Sequence, residues 1–429
     1  MEKKKSVRLA YGEHGLELKT GHDWNVSVIE PQHTEGFSDA AGAIIKALRK
    51  PIASSPLKQL VQPGDKVAII FNDITRPTPN KLLIETILQE LKHIPGSSVV
   101  LFNATGTHRP NTESELRPML GNYLFDNFRI VQNNAFDESQ LEVIGTSGFG
   151  NKIAVNRELI SCNRKILTGF IEPHFFAGFS GGGKAVMPGM AGINTILGNH
   201  SAKNIGSKNA TWGITDNNPV FEEVREVAVM AGASFLVNVT LNSMKEITGV
   251  FAGDIREAHL EGIRVARKTA MAGVQSAFDI VVTTNSGYPL DLNLYQTVKG
   301  MSAAARIVRQ GGIIIAAAEC RDGFPDHGLF SQLLRESENP SVLLETICSP
   351  GFSKQDQWQA QILAQIQLKA DLYLYSGNLS DEQLGFARIK RCNDIYELIE
   401  SLRKKSGNDI SICILPEGPQ TIPYIDEQG

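Results

Sequence analysis

The sequence has 429 residues, 42% of them hydrophobic, enough for one large core or two ordinary ones, and two domains are the better expectation. Basic residues number 42 against 46 acidic ones, a formal charge of −4. This balance argues against nucleic acid as a partner, because binding a phosphate backbone needs concentrated Lys and Arg. Five scattered cysteines without C-x-x-C spacing exclude a disulfide scaffold and a zinc module.

The same features predict a cytoplasmic location. An odd number of dispersed cysteines is typical of a reducing compartment. The first residues are charged where a signal peptide would be apolar, and no run of about 18 apolar residues is present. We therefore predict a soluble cytoplasmic protein without a membrane partner.

The first part of the chain alternates predicted strands and helices. Short strands are predicted at 7–11 and 16–18, and apolar runs of the buried parallel-strand kind at 66–72, 98–103, 164–171 and 235–241. Helical spacing of apolar residues is found at 80–93 and 252–270, and a further helix opens with the capping box that begins at Thr112. This alternation is typical of a parallel sheet covered by helices on both faces.

A second series of strands and helices begins after residues 271–277, where we place a domain boundary. It comprises strands at 278–284, 312–317, 371–375 and 410–415 and helices at 294–309 and 358–368. The predicted fold class is α/β, with two domains, each a mostly parallel sheet flanked by helices, and an active site in the cleft between them. The domains are expected at 1–272 and 273–429, with the C-terminal tail able to return to the first domain.

Polar clusters directly follow three of the predicted strands. They are Asp73-Ile-Thr-Arg-Pro, Gly106-Thr-His-Arg-Pro and Glu172-Pro-His. In an open parallel sheet, ligands bind beyond the carboxyl ends of the strands. The clusters are therefore predicted to meet at one site.

The segment Gly178-Phe-Ser-Gly-Gly-Gly-Lys184 nearly matches the P-loop pattern. Ala185 replaces the Ser or Thr that would hold Mg²⁺, and the run begins several residues after its strand ends. A phosphate-contacting loop without NTPase chemistry is one interpretation. A tightly packed glycine turn with a solvated Lys184 is the other.

Three histidines are candidates for chemistry. His108 and His174, at neighbouring strand ends, form a pair suited to moving protons near neutral pH, although each alone could be a hydrogen-bonded structural residue. His200 could be an ordinary helix-end histidine or a ligand of nickel, zinc or copper. It has no second ligand at helical spacing, which argues against a closed zinc site. The other histidines, including His259 and His327, are predicted to be ordinary.

Tyr295, Gln296 and Lys299 share one side of a predicted helix in the second domain. Lys299 there could hold a carboxylate, and the alternative is a solvated helix face. Trp358 is predicted to anchor the core or to cover a cleft.

Together, Asp73-Ile-Thr-Arg-Pro, Gly106-Thr-His-Arg-Pro, Glu172-Pro-His-Phe-Phe-Ala-Gly-Phe-Ser-Gly-Gly-Gly-Lys and His200 resemble the nickel-pincer nucleotide-dependent lactate racemase family. The resemblance covers essentially the whole chain. It implies that Lys184 carries pyridinium-3,5-bisthiocarboxylic acid mononucleotide, that His200 binds its nickel, and that His108 and His174 are the acid/base pair. It also implies that Asp73, Ile74, Thr75 and Arg76 line the cofactor pocket, and that Arg76, Tyr295, Gln296, Lys299 and Trp358 bind substrate.

The resemblance implies a racemase or epimerase of a 2-hydroxy acid, with lactate the leading substrate and cofactor-synthesis proteins as maturation partners. The alternatives are malate, a longer 2-hydroxy acid or a sugar acid with the same chemistry. More remote alternatives are a zinc hydrolase using the three histidines and a nucleotide-binding carrier without catalysis. Gly183 departs from the family pattern, in which a bulkier residue is frequent.

Overall fold

The computed structural model describes residues 6–325, 328–407 and 409–426. Its strands, in chain order, are β1 Ser6–Leu9, β2 Leu16–Lys19, β3 Asn25–Val28, β4 Val67–Asn72, β5 Val99–Ala104, β6 Arg129–Gln132, β7 Leu141–Thr146, β8 Lys152–Asn156, β9 Arg164–Phe170, β10 Pro173–His174, β11 Gly178–Phe179, β12 Phe235–Leu241, β13 Ile247–Gly253, β14 Met271–Val274, β15 Phe278–Thr284, β16 Val308–Ala317, β17 Ala370–Tyr375, β18 Lys390–Arg391, β19 Ser411–Leu415 and β20 Ile422–Ile425.

The helices connect these strands. They are α1 Ala40–Arg49, α2 Leu57–Leu60, α3 Asn80–Glu90, α4 Glu113–Asn127 (interrupted at Gly121), α5 Arg157–Ile160, α6 Ile193–Asn199, α7 Ala202–Ile205, α8 Pro219–Met230, α9 Glu257–Ala270, α10 Leu294–Ala305, α11 Phe330–Arg335, α12 Pro340–Cys348, α13 Gln357–Gln367, α14 Asp381–Ala387 and α15 Ile395–Ser406. No helix in the described part of the chain combines the length and apolar character needed to cross a bilayer.

One compact unit spans residues 33–269 and is built on a sheet with the order β13-β12-β9-β4-β5-β6. Neighbouring strands run parallel except β12 and β13, which are antiparallel. At the centre, Ile69 of β4 is in register with Leu101 of β5 and Ile166 of β9. Buried side chains of α1 and α3 pack with those of the strands in one apolar core. This unit confirms the predicted helix-covered, mostly parallel sheet.

The second unit combines residues 1–32 with 270–429. Its sheet has the order β18-β17-β16-β15-β19-β3 and is parallel throughout. The sequence placed residues 1–272 in the first domain. In the structure, however, β3 adds to the edge of the second sheet by pairing with β19, and β20 pairs with β14. The N-terminal segment therefore belongs to the second unit, and so does the last strand, which forms a separate two-stranded sheet with β14.

The long helix expected at 252–270 begins only at Glu257. The carboxylate of Asp254 accepts hydrogen bonds from the backbone N–H groups of Arg256 and Glu257, which caps the first turn of α9. Ala252 and Gly253 instead form the end of strand β13, which the helical spacing of apolar residues did not predict. This strand forms the antiparallel edge of the first sheet.

Candidate active site

Three polar loops lie at the carboxyl edge of the first sheet. They follow β4, β5 and β9, which are adjacent strands running in the same direction. On one side of β4 the sheet continues with β5 and β6, and on its other side lies β9. The strand order therefore reverses between β4 and β9, which is a topological switch point. The prediction that these clusters converge is confirmed by contacts between them.

His108 and Asp73 form the first of these contacts. His108 Nδ1 lies 2.7 Å from Asp73 Oδ2, and the Thr75 hydroxyl donates to Asp73 Oδ1 at 2.7 Å. Burial alone would raise the pKa of Asp73, but the contact with His108, followed by the charge of Arg76, lowers this pKa below its ordinary value. An ionised Asp73 accepts the Nδ1 proton, and this leaves the lone pair of His108 on Nε2. His108 is therefore prepared as a base.

Arg76 contacts the loop that follows β9. Its guanidinium Nε lies 3.9 Å from a carboxylate oxygen of Glu172, and both side chains are largely buried. Arg76 also donates to the carbonyl and hydroxyl oxygens of Thr75, at 3.1 Å each. Ile74 lies in the same turn. The sequence listed Glu172 only as part of a motif, yet its position two residues before His174 was a usable signal for this ion pair.

His174 and Lys184 form the second contact. Lys184 Nζ lies 2.9 Å from His174 Nε2, and the Ala177 backbone N–H donates to His174 Nδ1 at 3.2 Å. The ring of His174 therefore has the Ala177 N–H at one nitrogen and the Lys184 amine at the other. His174 thus contacts an amine, whereas His108 contacts a carboxylate.

Phe176 joins this pair to His200. Its ring centroid is 4.6 Å from that of His174, 4.9 Å from that of His200 and 5.6 Å from Lys184 Nζ. Burial, with a smaller contribution from the charge of Lys184, lowers the pKa of His200 to about 3. His200 follows α6 directly and is a neutral imidazole at physiological pH, which is the form that binds metals.

These residues fit a tethered metal-carrying group. Lys184 supplies an amine, and His200, which lies against the same Phe176 ring, supplies one neutral nitrogen donor. Among the described residues, no three His, Cys, Asp or Glu side chains are grouped so that they could hold a metal ion. A metal at His200 would therefore take its other donors from the bound group. The zinc-hydrolase alternative needs His108, His174 and His200 as one set of ligands, and they do not form one.

The glycine run before Lys184 does not form a P-loop. After β9 the chain makes the β10–β11 hairpin and then a short 3₁₀ turn over Gly182–Ala185, not a direct strand-to-helix turn. Gly182 has φ +58°, and a Cβ there would lie 2.2 Å from His259 Nδ1. A Cβ at Gly183 would lie 2.7 Å from the Val224 carbonyl oxygen. These two glycines thus allow close packing against α8 and α9.

His259 was predicted to be ordinary, but it lines a cavity with Lys184 and Arg225. Its Nε2–H donates to the Ser180 carbonyl oxygen at 2.9 Å. The sequence pattern did not predict the contact between His259 and Ser180, because this contact depends on how α9 packs against the glycine run. His327 lies outside the described residues.

Keeping His259 neutral makes stability pH-dependent. Burial, followed by the charges of Arg225 and Lys184, lowers its pKa from 6.5 to about 4, despite the opposing hydrogen bond to Ser180. Between pH 6.5 and about 4, His259 therefore binds a proton more readily in the unfolded chain than in the folded protein. The free energy of unfolding falls as pH decreases through this range, by up to about 1.4 kcal/mol per pH unit. In His259→Gln we expect the free energy of unfolding, measured with urea, to depend less steeply on pH between 6.5 and 4. The exposed control His33→Gln should keep the pH dependence of the parent protein. If His259→Gln also kept it, His259 would not be its source.

A buried carboxylate fixes the end of α6. Glu223 is fully buried and accepts hydrogen bonds from Ser147 Oγ at 2.6 Å, Asn151 Nδ2 at 2.8 Å and Asn199 Nδ2 at 2.9 Å. Asn199 is the residue immediately before His200. The network therefore sets the backbone position from which His200 projects.

Removing this carboxylate should destabilise the protein. Glu223→Ala removes the acceptor shared by Ser147 and Asn199, which are buried, and by the half-buried Asn151. We therefore expect a loss of about 3 kcal/mol in the free energy of unfolding, measured with urea. The exposed Glu142→Ala should change it by less than about 0.5 kcal/mol. Equal stability of the two variants would show that the network contributes little.

In the second unit, the predicted carboxylate-binding residues also lie together. Tyr295, Gln296 and Lys299 are on α10, and Lys299 Nζ donates to Gln296 Oε1 at 2.5 Å. The Trp358 indole N–H donates to the Tyr295 hydroxyl at 2.8 Å. The hydrogen bond joins α13 to α10 and holds both aromatic side chains in place.

Family models match both halves of the chain. The lactate racemase N-terminal domain matches residues 11–213, and the lactate racemase C-terminal domain matches residues 274–422. A lactate racemase from Thermoanaerobacterium thermosaccharolyticum is 35% identical, over 88% of this chain and 89% of that protein. One from Lactiplantibacillus plantarum is 34% identical, over 87% and 88% respectively.

Solved structures agree with these matches. The lactate racemase apoprotein from T. thermosaccharolyticum superimposes with a TM-score of 0.90 at 33% identity, covering 97% of this chain and 99% of that one. A structural genomics protein from Thermotoga maritima has a TM-score of 0.71 at 18% identity, with 90% and 98% covered, and shares the fold.

Proposed function

This chain belongs to the lactate racemase family and is an isomerase, and we propose that it interconverts the two enantiomers of lactate. The observation that carries the proposal is a pair of histidines at one sheet edge, each held by a different partner. Asp73 accepts the Nδ1 proton of His108, whose Nε2 then presents a lone pair, whereas Nε2 of His174 faces the Lys184 amine. A reaction that removes a hydroxyl proton from either enantiomer and returns it requires both a base and an acid.

We further propose that Lys184 carries nickel as the pincer complex of pyridinium-3,5-bisthiocarboxylic acid mononucleotide, with His200 as the protein ligand of the metal. Asp73, Ile74, Thr75 and Arg76 would line its pocket. When bound, this group supplies a hydride acceptor for the substrate carbon that bears the hydroxyl. Cofactor-synthesis proteins are the expected maturation partners.

The residues of this chain then position substrate and move protons. His108 Nε2 takes the hydroxyl proton of one enantiomer, and His174 serves the other. We assign Arg76, Tyr295, Gln296 and Lys299 to the substrate carboxylate, with Trp358 orienting Tyr295 through its hydrogen bond. Pinning the carboxylate would fix the reacting carbon and neutralise its charge.

A chiral assay tests the function. The full chain, produced together with the cofactor-synthesis proteins, is incubated with D- or L-lactate, and both enantiomers are followed to equilibrium. Conversion of lactate in both directions supports the proposal. Conversion of malate, a longer 2-hydroxy acid or a sugar acid instead would keep the chemistry and overturn lactate as substrate. No conversion of any 2-hydroxy acid, with His108→Ala indistinguishable from the parent, would favour a non-catalytic carrier.

A further inference from the structure

We propose that Asp291 is a positioning residue that fixes the start of α10, and with it the side chains of Tyr295, Gln296 and Lys299. This inference deepens the proposed function and rests on it only for the assignment of these three side chains to the substrate carboxylate. Asp291 acts through the backbone of residues 285–293, the loop that joins β15 to α10.

The side chain of Asp291 joins this loop to two remote segments of the second unit. It is 1% exposed, and its Oδ2 atom accepts hydrogen bonds from the backbone N–H of Gly12 at 2.8 Å and of Glu319 at 2.9 Å. Gly12 lies in the turn between β1 and β2, and Glu319 follows β16. The carbonyl oxygen of Gly12 also accepts a hydrogen bond from the Tyr288 N–H at 2.9 Å. The N-terminal hairpin therefore holds the loop at two points.

Backbone hydrogen bonds continue this attachment as far as the first residue of the helix. The N–H of Asp322 donates to the carbonyl oxygen of Leu292 at 2.7 Å. The N–H of Leu294, where α10 begins, donates to the carbonyl oxygen of Gly323 at 3.2 Å. The segment after β16 thus runs along the end of the loop and contacts it from Asp291 to the helix.

The same end of the loop sets the first turn of α10. Asn293 caps the helix, because its side-chain oxygen accepts a hydrogen bond from the Gln296 N–H at 3.1 Å. Tyr295 and Gln296 belong to this first turn, and Lys299 lies one turn later and donates to Gln296. A shift of the loop would therefore move all three side chains together, and a displacement of about 1 Å can cost about 100-fold in rate.

One oxygen atom of Asp291 makes both side-chain hydrogen bonds. The other, Oδ1, is buried and has no hydrogen-bond partner among the described residues. Burial raises the pKa of Asp291 above its ordinary value, although the two N–H bonds oppose this shift. The site therefore uses an acceptor and not a charge. Asparagine, whose carbonyl oxygen can replace Oδ2, should preserve the role, whereas alanine leaves both N–H groups without their acceptor.

The kinetic test compares Asp291→Ala and Asp291→Asn with the parent, as full-length protein produced together with the cofactor-synthesis proteins. In Asp291→Ala we expect the KM for lactate to rise at least about tenfold, because a displaced α10 binds the carboxylate less well. Asp291→Asn should keep KM within about twofold of the parent value. A rise in Asp291→Asn as large as in Asp291→Ala would overturn the proposal, since the charge and not the acceptor would then matter.

Asp279→Ala is the matched control for a purely structural role. Asp279 lies at the opposite end of β15, and its Oδ2 atom accepts hydrogen bonds from the Ser411 N–H at 2.8 Å and the Ser411 hydroxyl at 2.7 Å. Its loss should lower stability but leave KM unchanged, because a smaller folded fraction lowers the apparent kcat alone. If Asp291→Ala also lost stability while keeping the parent KM, Asp291 would be a structural residue and the proposal would fall.

Hydrogen exchange of the cofactor-free parent tests the same contacts without any activity. The backbone amides of Gly12 and Glu319 should exchange at least about 100-fold slower than in an unstructured peptide, because both donate to Asp291. Exchange near the peptide rate would refute the contacts on which the proposal rests. This measurement needs no variant, so it also decides the case in which Asp291→Ala does not fold.

Exchange in the variants then reports the position of the helix. In Asp291→Ala we expect the amides of Leu294 and Gln296 to exchange at least about tenfold faster than in Asp279→Ala. Equal rates in the two variants would contradict the proposal. If the parent did not racemise lactate, the proposed function would fail, whereas these exchange rates would still decide the role of Asp291.

Discussion

Lys184→Arg is expected to reduce racemisation to the uncatalysed background, a loss of about 10⁶-fold or more. The guanidinium keeps a positive charge and a long side chain, but it is always protonated and cannot be acylated. In the proposed function the cofactor carries the redox step, so its loss should remove the reaction and not merely slow it. Intact-protein mass should show the attached group in the parent and not in the variant.

Lys203→Arg is the matched control, since Lys203 is exposed on α7 in the same unit. It should retain both the added mass and the activity. If Lys184→Arg kept substantial activity, the lysine would not be the attachment point, and the proposed mechanism would have to be rebuilt around another residue.

Asp73→Asn is expected to lower kcat by about 10²- to 10⁴-fold without unfolding the protein. The asparagine amide can donate to His108 Nδ1, which would shift the imidazole proton to Nε2. His108 would then present a donor where the substrate hydroxyl needs a base. Chiral chromatography measures the rates with each enantiomer. Since the two enantiomers have equal free energy, kcat/KM must fall by the same factor in both directions.

Exposed Asp216→Asn serves as the comparison and should leave kcat unchanged. Thermal unfolding of both variants separates a folding defect from a catalytic one. If Asp73→Asn loses less than about threefold in kcat, Asp73 does not control the tautomer of His108.

The sequence predicted much of the site because its residues follow strands. Asp73, His108 and His174 each come after an apolar run, and parallel strands bring their carboxyl ends to one edge. The family resemblance implies that Asp73 lines the cofactor pocket, and the structure adds a contact between its carboxylate and His108. This pairing joins residues 35 positions apart in the chain, and residue type alone does not specify it.

His259 and Ala177 show what residue patterns cannot reveal. Ala177 has no functional side chain, yet its backbone N–H contacts Nδ1 of His174. His259 looked ordinary because nothing near it in sequence suggests a site. It reaches the glycine run only through the packing of α9.

By itself, the sequence determined the alternation of strands and helices, the parallel sheets and the edge at which the candidate site residues gather, since local periodicity records which faces are buried. Tertiary structure alone decided that β3 joins the second sheet, that β13 forms the antiparallel edge of the first sheet, and which groups contact each histidine ring. Those outcomes depend on which remote segments pair and on which donor or acceptor meets each ring, and local periodicity carries neither piece of information.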